Sequence, residues 1–187
     1  MTAGLAASLA SLLVMTACAS PSTTELPSGG STANGSDFTA DSGRLAVFAP
    51  DNWDEATSEV DPGDGTYVVE AVWVLDGTLK VDATTIIITS YPGYPGSTDQ
   101  MLIAEREAAV GLLPDSEIVD GADFTTDAGV TFRRLDITDE LPEFSYRGVA
   151  LVTVVDGVGY EIAITMRAET LNLLPDALAG LKTLRFL

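Results

Sequence analysis

Residues 146–166 read YRGVALVTVVDGVGYEIAITM. Two runs rich in β-branched and aromatic residues, Tyr146 to Val155 and Val158 to Met166, flank the dipeptide Asp156-Gly157. Such runs suit the pleated, packed surface of a strand. Asp-Gly supplies the positive φ angles of a type I′ turn, whose twist matches that of the strands it joins. The stretch therefore predicts an antiparallel hairpin. Upstream, Ala122 to Thr126 and Val130 to Thr138 flank Asp127-Ala128-Gly129, which extends the hairpin to a four-stranded meander. Downstream, Leu171, Leu174, Leu178 and Leu181 recur at helical spacing. Pro175 fits that helix only in its first turn, where no backbone N–H is missed.

Toward the N-terminus, Tyr67 to Leu75 reads as a strand, Asp76-Gly77 as a hairpin turn, and Thr84 to Thr89 as an apolar strand suited to the middle of a sheet. The loop Tyr91-Pro92-Gly93-Tyr94-Pro95-Gly96 follows. Ser97 then caps a helix, with Gln100 completing a capping box, and the helix runs to Leu113 before Pro114. Leu102, Ile103, Ala109, Val110 and Leu113 are expected on its buried face, with Glu105, Arg106 and Glu107 turned away. A first strand, Leu45 to Ala49, closes at Pro50, and Trp53 is expected to fold back onto the core. The fold class is α+β: an antiparallel sheet with the 97–113 helix and a C-terminal helix packed on it.

The N-terminal segment sets the location. Leu5 to Val14 is a short apolar run, followed by Met15-Thr16-Ala17-Cys18. Small residues before a cysteine, directly behind an apolar segment of about 10 residues, are what lipoprotein processing needs. Residues 1–17 read as the signal, Cys18 as the acylated residue, and 18–43 as the lipidated start and a flexible tether of Ser, Thr, Gly and Pro. As a coil, that tether spans about 25 to 30 Å. The single folded domain is expected over 44–187. The n-region lacks Lys and Arg, which a start codon further upstream accounts for. The apolar run is too short to cross a hydrocarbon core of about 30 Å.

Composition narrows the chemistry. Asp and Glu number 28 against 9 Lys and Arg, for a formal net charge of −19, which argues against nucleic acid. Arg outnumbers Lys seven to two, the bias of a GC-rich genome, which points toward an actinobacterium. Histidine is absent and Cys18 is the single cysteine. That removes His-based triads, His or Cys zinc sites and most general-base chemistry near neutral pH. No cofactor is expected. Carboxylate-only catalysis and calcium binding stay open.

The order strand, hairpin, helix, meander, helix comes with an early Pro50-Asp51-Asn52-Trp53 corner and a closing Leu184-Arg185-Phe186. In this the chain resembles the PsbP/Mog1 fold, and within it the LpqN-type lipoproteins of actinobacteria. The resemblance covers about residues 44–187 and the acylated Cys with its tether. It implies a small binding or assembly factor, without a catalytic residue set to carry over.

Four readings compete for the function. The loop of Tyr91 and Tyr94 is the best candidate for partner binding, because tyrosine offers large contact area at low entropy cost. Packing of both rings against the helix start is the plainer account. The acidic loop 51–64 could hold calcium, but Asp61-Pro62-Gly63-Asp64-Gly65 lacks the alternating ligand spacing, and a solvated loop explains it. Asp136, Asp139, Glu140 and Glu143 could serve a carboxylate-dependent wall hydrolase, or form a solvated hairpin tip. A carrier of lipid or another apolar ligand would need a cavity between sheet and helices. The reading adopted is a non-enzymatic, monomeric lipoprotein outside the cell membrane, attached through the lipid on Cys18 and bound to another envelope protein.

Overall fold

The computed structural model describes residues 37–49, 52–56, 66–75, 84–140 and 145–187. The described chain opens with β1 (Asp37–Thr39), β2 (Leu45–Phe48), β3 (Trp53–Glu55), β4 (Val68–Leu75) and β5 (Thr85–Pro92). Helix α1 (Thr98–Leu112) follows, then β6 (Glu117–Asp120), β7 (Phe124–Thr125), β8 (Thr131–Glu140), β9 (Ser145–Val155) and β10 (Val158–Arg167). A 3₁₀ turn (Ala168–Leu173) leads into α2 (Leu174–Leu181), and β11 (Arg185–Phe186) closes the chain.

All strand pairs are antiparallel. The main sheet runs β3-β4-β5-β10-β9-β8-β6, with β7 on β8, and a small sheet runs β1-β2-β11. The β9–β10 hairpin forms in the expected register, Val155 opposite Val158, with φ of 51° at Asp156 and 75° at Gly157. β10 also pairs along its length with β5, Ile162 opposite Ile88. That central place explains why β5 is apolar on both faces.

Side chains alternate across the main sheet. One face sends Trp73, Ile86, Ile88, Leu151, Ile162 and Ile164 against the small sheet, α2 and Leu184. The other sends Tyr91, Leu135, Ala150 and Val152 against Met101 and Leu102 of α1, while Ala109 packs with Leu113 and Ile137. The main sheet is thus the middle of three layers.

Several expectations hold and several are corrected. Pro175 sits in the first turn of α2, and Trp53 is buried, although within a strand. β1 at Asp37–Thr39 already pairs with β2, ahead of the expected start at 44. The strand foreseen at Ala122 to Thr126 shrinks to β7, while β6, which its polar sequence hid, pairs four residues with β8. Residues 1–36, including the signal and Cys18, lie outside the described residues, as do most of the acidic loop and the Asp76-Gly77 turn.

Candidate functional site

Helix α1 is fixed at both ends and along one flank. Ser97 accepts from the Gln100 backbone N–H at 3.3 Å, and the Gln100 side chain accepts from the Ser97 N–H at 2.8 Å. This is the capping box expected from sequence. The hydroxyl of Thr98 accepts from Val154 N–H of β9 at 3.1 Å. Arg133 of β8 holds Asp99 at 2.5 Å and Asp123 at 3.1 Å. Arg106 pairs with Asp120 and donates to the Ile118 carbonyl of β6.

These tethers set the rotation of the helix, and it is not the rotation expected. Met101, Leu102, Glu105 and Ala109 face the sheet. Ile103 and Val110 are 56% and 53% exposed. Leu102, Ala109 and Leu113 are common to the expected and observed faces, so the apolar pattern alone leaves the angle ambiguous. The bonds of Thr98 to β9 and of Arg106 to β6 decide it. They turn Glu105 inward and the Ile103–Val110 stripe outward.

Glu105 therefore stands at a fully buried position. Neither of its oxygens completes a hydrogen bond of good geometry. Glu161 of β10, 1% exposed, lies close enough to act on it. Burial first, and the negative charge and hydrogen-bonding of Glu161 second, push the Glu105 carboxyl well above the usual carboxylate range. Glu161 in turn accepts from the Tyr91 hydroxyl at 2.8 Å. Tyr91 is 4% exposed, because β5 extends through Pro92 and carries that ring into the core under α1, beside Tyr67. Its expected place in an exposed loop is thus corrected.

Tyr94 is half-buried. Its ring crosses Gly159 so closely that a Cβ there would stand 3.2 Å from Tyr94 Cγ and from Met101 Sδ, and a Cβ on Gly96 would stand 2.8 Å from Tyr94 Cε1. Burial raises the Tyr94 hydroxyl above its ordinary value. Tyr94 thus stays partly at the surface beside the start of α1, while Tyr91 does not.

A second buried carboxylate lies on the opposite sheet face. Glu70 falls where the β4–β5 register shifts between Val69 and Ala71. There it accepts from Ser90 at 2.6 Å and Ser42 at 2.5 Å, with Arg44 at 3.9 Å. With these partners Glu70 ties the β1–β2 connection to the main sheet. Asp136 is taken up by Arg134 at 2.6 Å. Asp139 and Glu140 lie within β8, and Glu143 lies outside the described residues. Among the described residues no group of three His, Cys, Asp or Glu could hold a metal ion. No helix among them is long and apolar enough to cross a membrane.

This layered sheet-and-helix fold has likenesses among solved structures. The solution structure of cyanobacterial PsbP (CyanoP) from Synechocystis sp. PCC 6803 superposes with a TM-score of 0.58 at 10% identity, over 89% of this chain and 100% of that one. The fold is PsbP-like. LpqN of Mycobacterium tuberculosis, described as involved in cell envelope biogenesis, matches at 0.52 and 14% identity, over 83% of this chain and 92% of its own. A protein from Bacteroides thetaiotaomicron VPI-5482 matches at 0.50 and 12% identity, over 82% of this chain and 48% of that one. No family model matches the sequence, and no curated protein does. The PsbP-like fold expected from the sequence is therefore present.

Proposed function

We propose that this chain is an extracytoplasmic, lipid-anchored binding or assembly module that works through the outer face of α1, without catalysis. One observation carries the reading: Ile103 and Val110 stand a heptad apart on the solvent side of a helix whose other side is fully packed. A helix of a folded domain has no internal use for two such residues there. Asp99 and Glu107 flank the stripe on the helix itself, and Tyr94 stands at its start. The partner that fits is another envelope protein presenting an apolar contact ringed by basic residues. Of the carboxylates considered for hydrolysis, Asp136 is taken up by Arg134, and the buried pair Glu105 and Glu161 lies under α1 at 0% and 1% exposure, out of reach of a polysaccharide. LpqN, with the same fold, belongs to the cell envelope by its description. Cys18 behind its apolar run supports the anchor.

The test is capture of a native-envelope partner by the full chain against an Ile103→Lys/Val110→Lys variant. The variant should lose capture while its melting temperature stays within a few degrees, and wild-type association should slow as salt rises. Undiminished capture by the variant overturns the docking face. Failure of the wild type to take up labelled palmitate, against a Cys18→Ala control, overturns the anchor.

A further inference from the structure

We propose that Glu105 and Glu161 form a buried proton site that seats α1: one proton shared between the two carboxyls holds the helix on the sheet, and its loss lifts the helix. The site goes beyond the docking face and stands whatever partner α1 meets.

The geometry requires some such occupant. Glu105 comes down from α1 and Glu161 up from β10, between Val152 of β9 and Thr89 of β5 in the sheet register. Both are buried, and neither Glu105 oxygen completes a hydrogen bond of good geometry. Two adjacent carboxylates in an apolar layer cannot both stay ionised. An unpaired buried charge on Glu105 would cost far more than the surrounding apolar contacts return. A proton removes both difficulties at once. Tyr91 donates to Oε2 of Glu161, which makes Glu161 the accepting side and Glu105 the side that carries the proton.

The other titratable groups nearby leave Glu105 without a counter-charge. On β5 it is Tyr91, with Tyr67 beside it, and in the loop before α1 it is Tyr94. β10 contributes Glu161. The face of β9 toward α1 is Gly148, Ala150, Val152 and Val154. On β8 the cation is Arg133, already between Asp99 and Asp123. On α1 itself Arg106 turns outward to Asp120. Among the described residues no Lys or Arg forms an ion pair with Glu105.

The seated helix therefore binds one more proton than the lifted one over the range between the ordinary carboxyl value and the raised value of the buried pair. Seating is strongest in acid, weakens as pH rises through that range, and levels off once the shared proton has gone. The experiment follows hydrogen exchange of the 98–112 amides in the full chain from pH 5 to 9, corrected for intrinsic rates. Protection of these amides should fall about tenfold per pH unit while the seated site still holds its proton and the lifted one does not, with β5, β9 and β10 unchanged. Glu105→Gln keeps the shape without the titration and should flatten that slope. Infrared spectra near neutral pH should show a protonated carboxyl band that this variant lacks. Glu161→Gln removes the second charge but leaves Glu105 buried, so this second variant should keep the slope and end it at a lower pH than the wild type. Four results would overturn the proposal: no protonated carboxyl band, flat protection in the wild type, a wild-type slope in Glu105→Gln, or calcium abolishing the slope, which would make the occupant a metal ion.

Discussion

Asp156 and Gly157 are the residues whose backbone angles most constrain the sheet. Both sit at positive φ, and the strands they join lie in the centre of the main sheet. An L side chain bears a steric cost there that glycine avoids and that Asp tolerates better than Ala. Replacing both by Ala should destabilise the protein by about 1 kcal/mol or more, read as a lower urea midpoint with unchanged slope. Equal midpoints would mean that the turn relaxes to another type at no cost. At this scale the sequence was legible, because the signal and the strain occupy the same two residues. Glu105 was not legible: nothing local distinguishes it from Glu107 two positions on, and only the sheet beneath assigns one to the core and the other to water.

At the scale of elements, α1 shows the same division. Its start, cap and stop are written in Ser97, Gln100 and Pro114, and all three hold. Ser97→Ala removes a cap that satisfies an otherwise orphaned N–H, and should cost about 1 kcal/mol in urea or thermal melts. A loss confined to the exchange protection of the first turn, with global stability unchanged, would show instead that Thr98 and Arg133 hold that end without the cap. The facing of α1 departs from the sequence expectation for a physical reason. Its apolar residues cover two overlapping arcs, and the choice belongs to polar bonds reaching β9, β8 and β6. β6 was missed likewise, since Glu117-Ile118-Val119-Asp120 carries little strand signal and is recruited by the edge of β8. Tyr91 was placed in a loop because Pro92 and Gly93 follow it, yet pairing with Gly159 continues the strand past it.

For the whole molecule, the governing quantity is the formal net charge of −19. Among the described residues the arginines at 106, 133, 134, 167 and 185 are each committed to an acidic partner, so the exposed surface is strongly anionic. Like charges repel in the compact state, and mobile ions screen them beyond about 10 Å at 0.1 M ionic strength. The melting temperature should therefore rise as sodium chloride is raised from a few millimolar to about 0.15 M. A fall would mean that the surface ion pairs contribute more than the repulsion removes. The same surface favours a basic partner over an acidic one, whichever face receives it.

The sequence by itself determined the class of fold, the central hairpin, the capped helix, the acidic surface, the absence of histidine chemistry and the expectation of an acylated Cys18. Each of these is a property of neighbouring residues or of a sum over the chain. Only the tertiary structure decided that Glu105 meets Glu161 under α1, that Tyr91 is core while Tyr94 is not, and that Ile103 and Val110 face outward. Those outcomes depend on residues tens of positions apart sharing one space. There the cost of an unpaired buried charge and the reach of a few side-chain bonds override the local pattern.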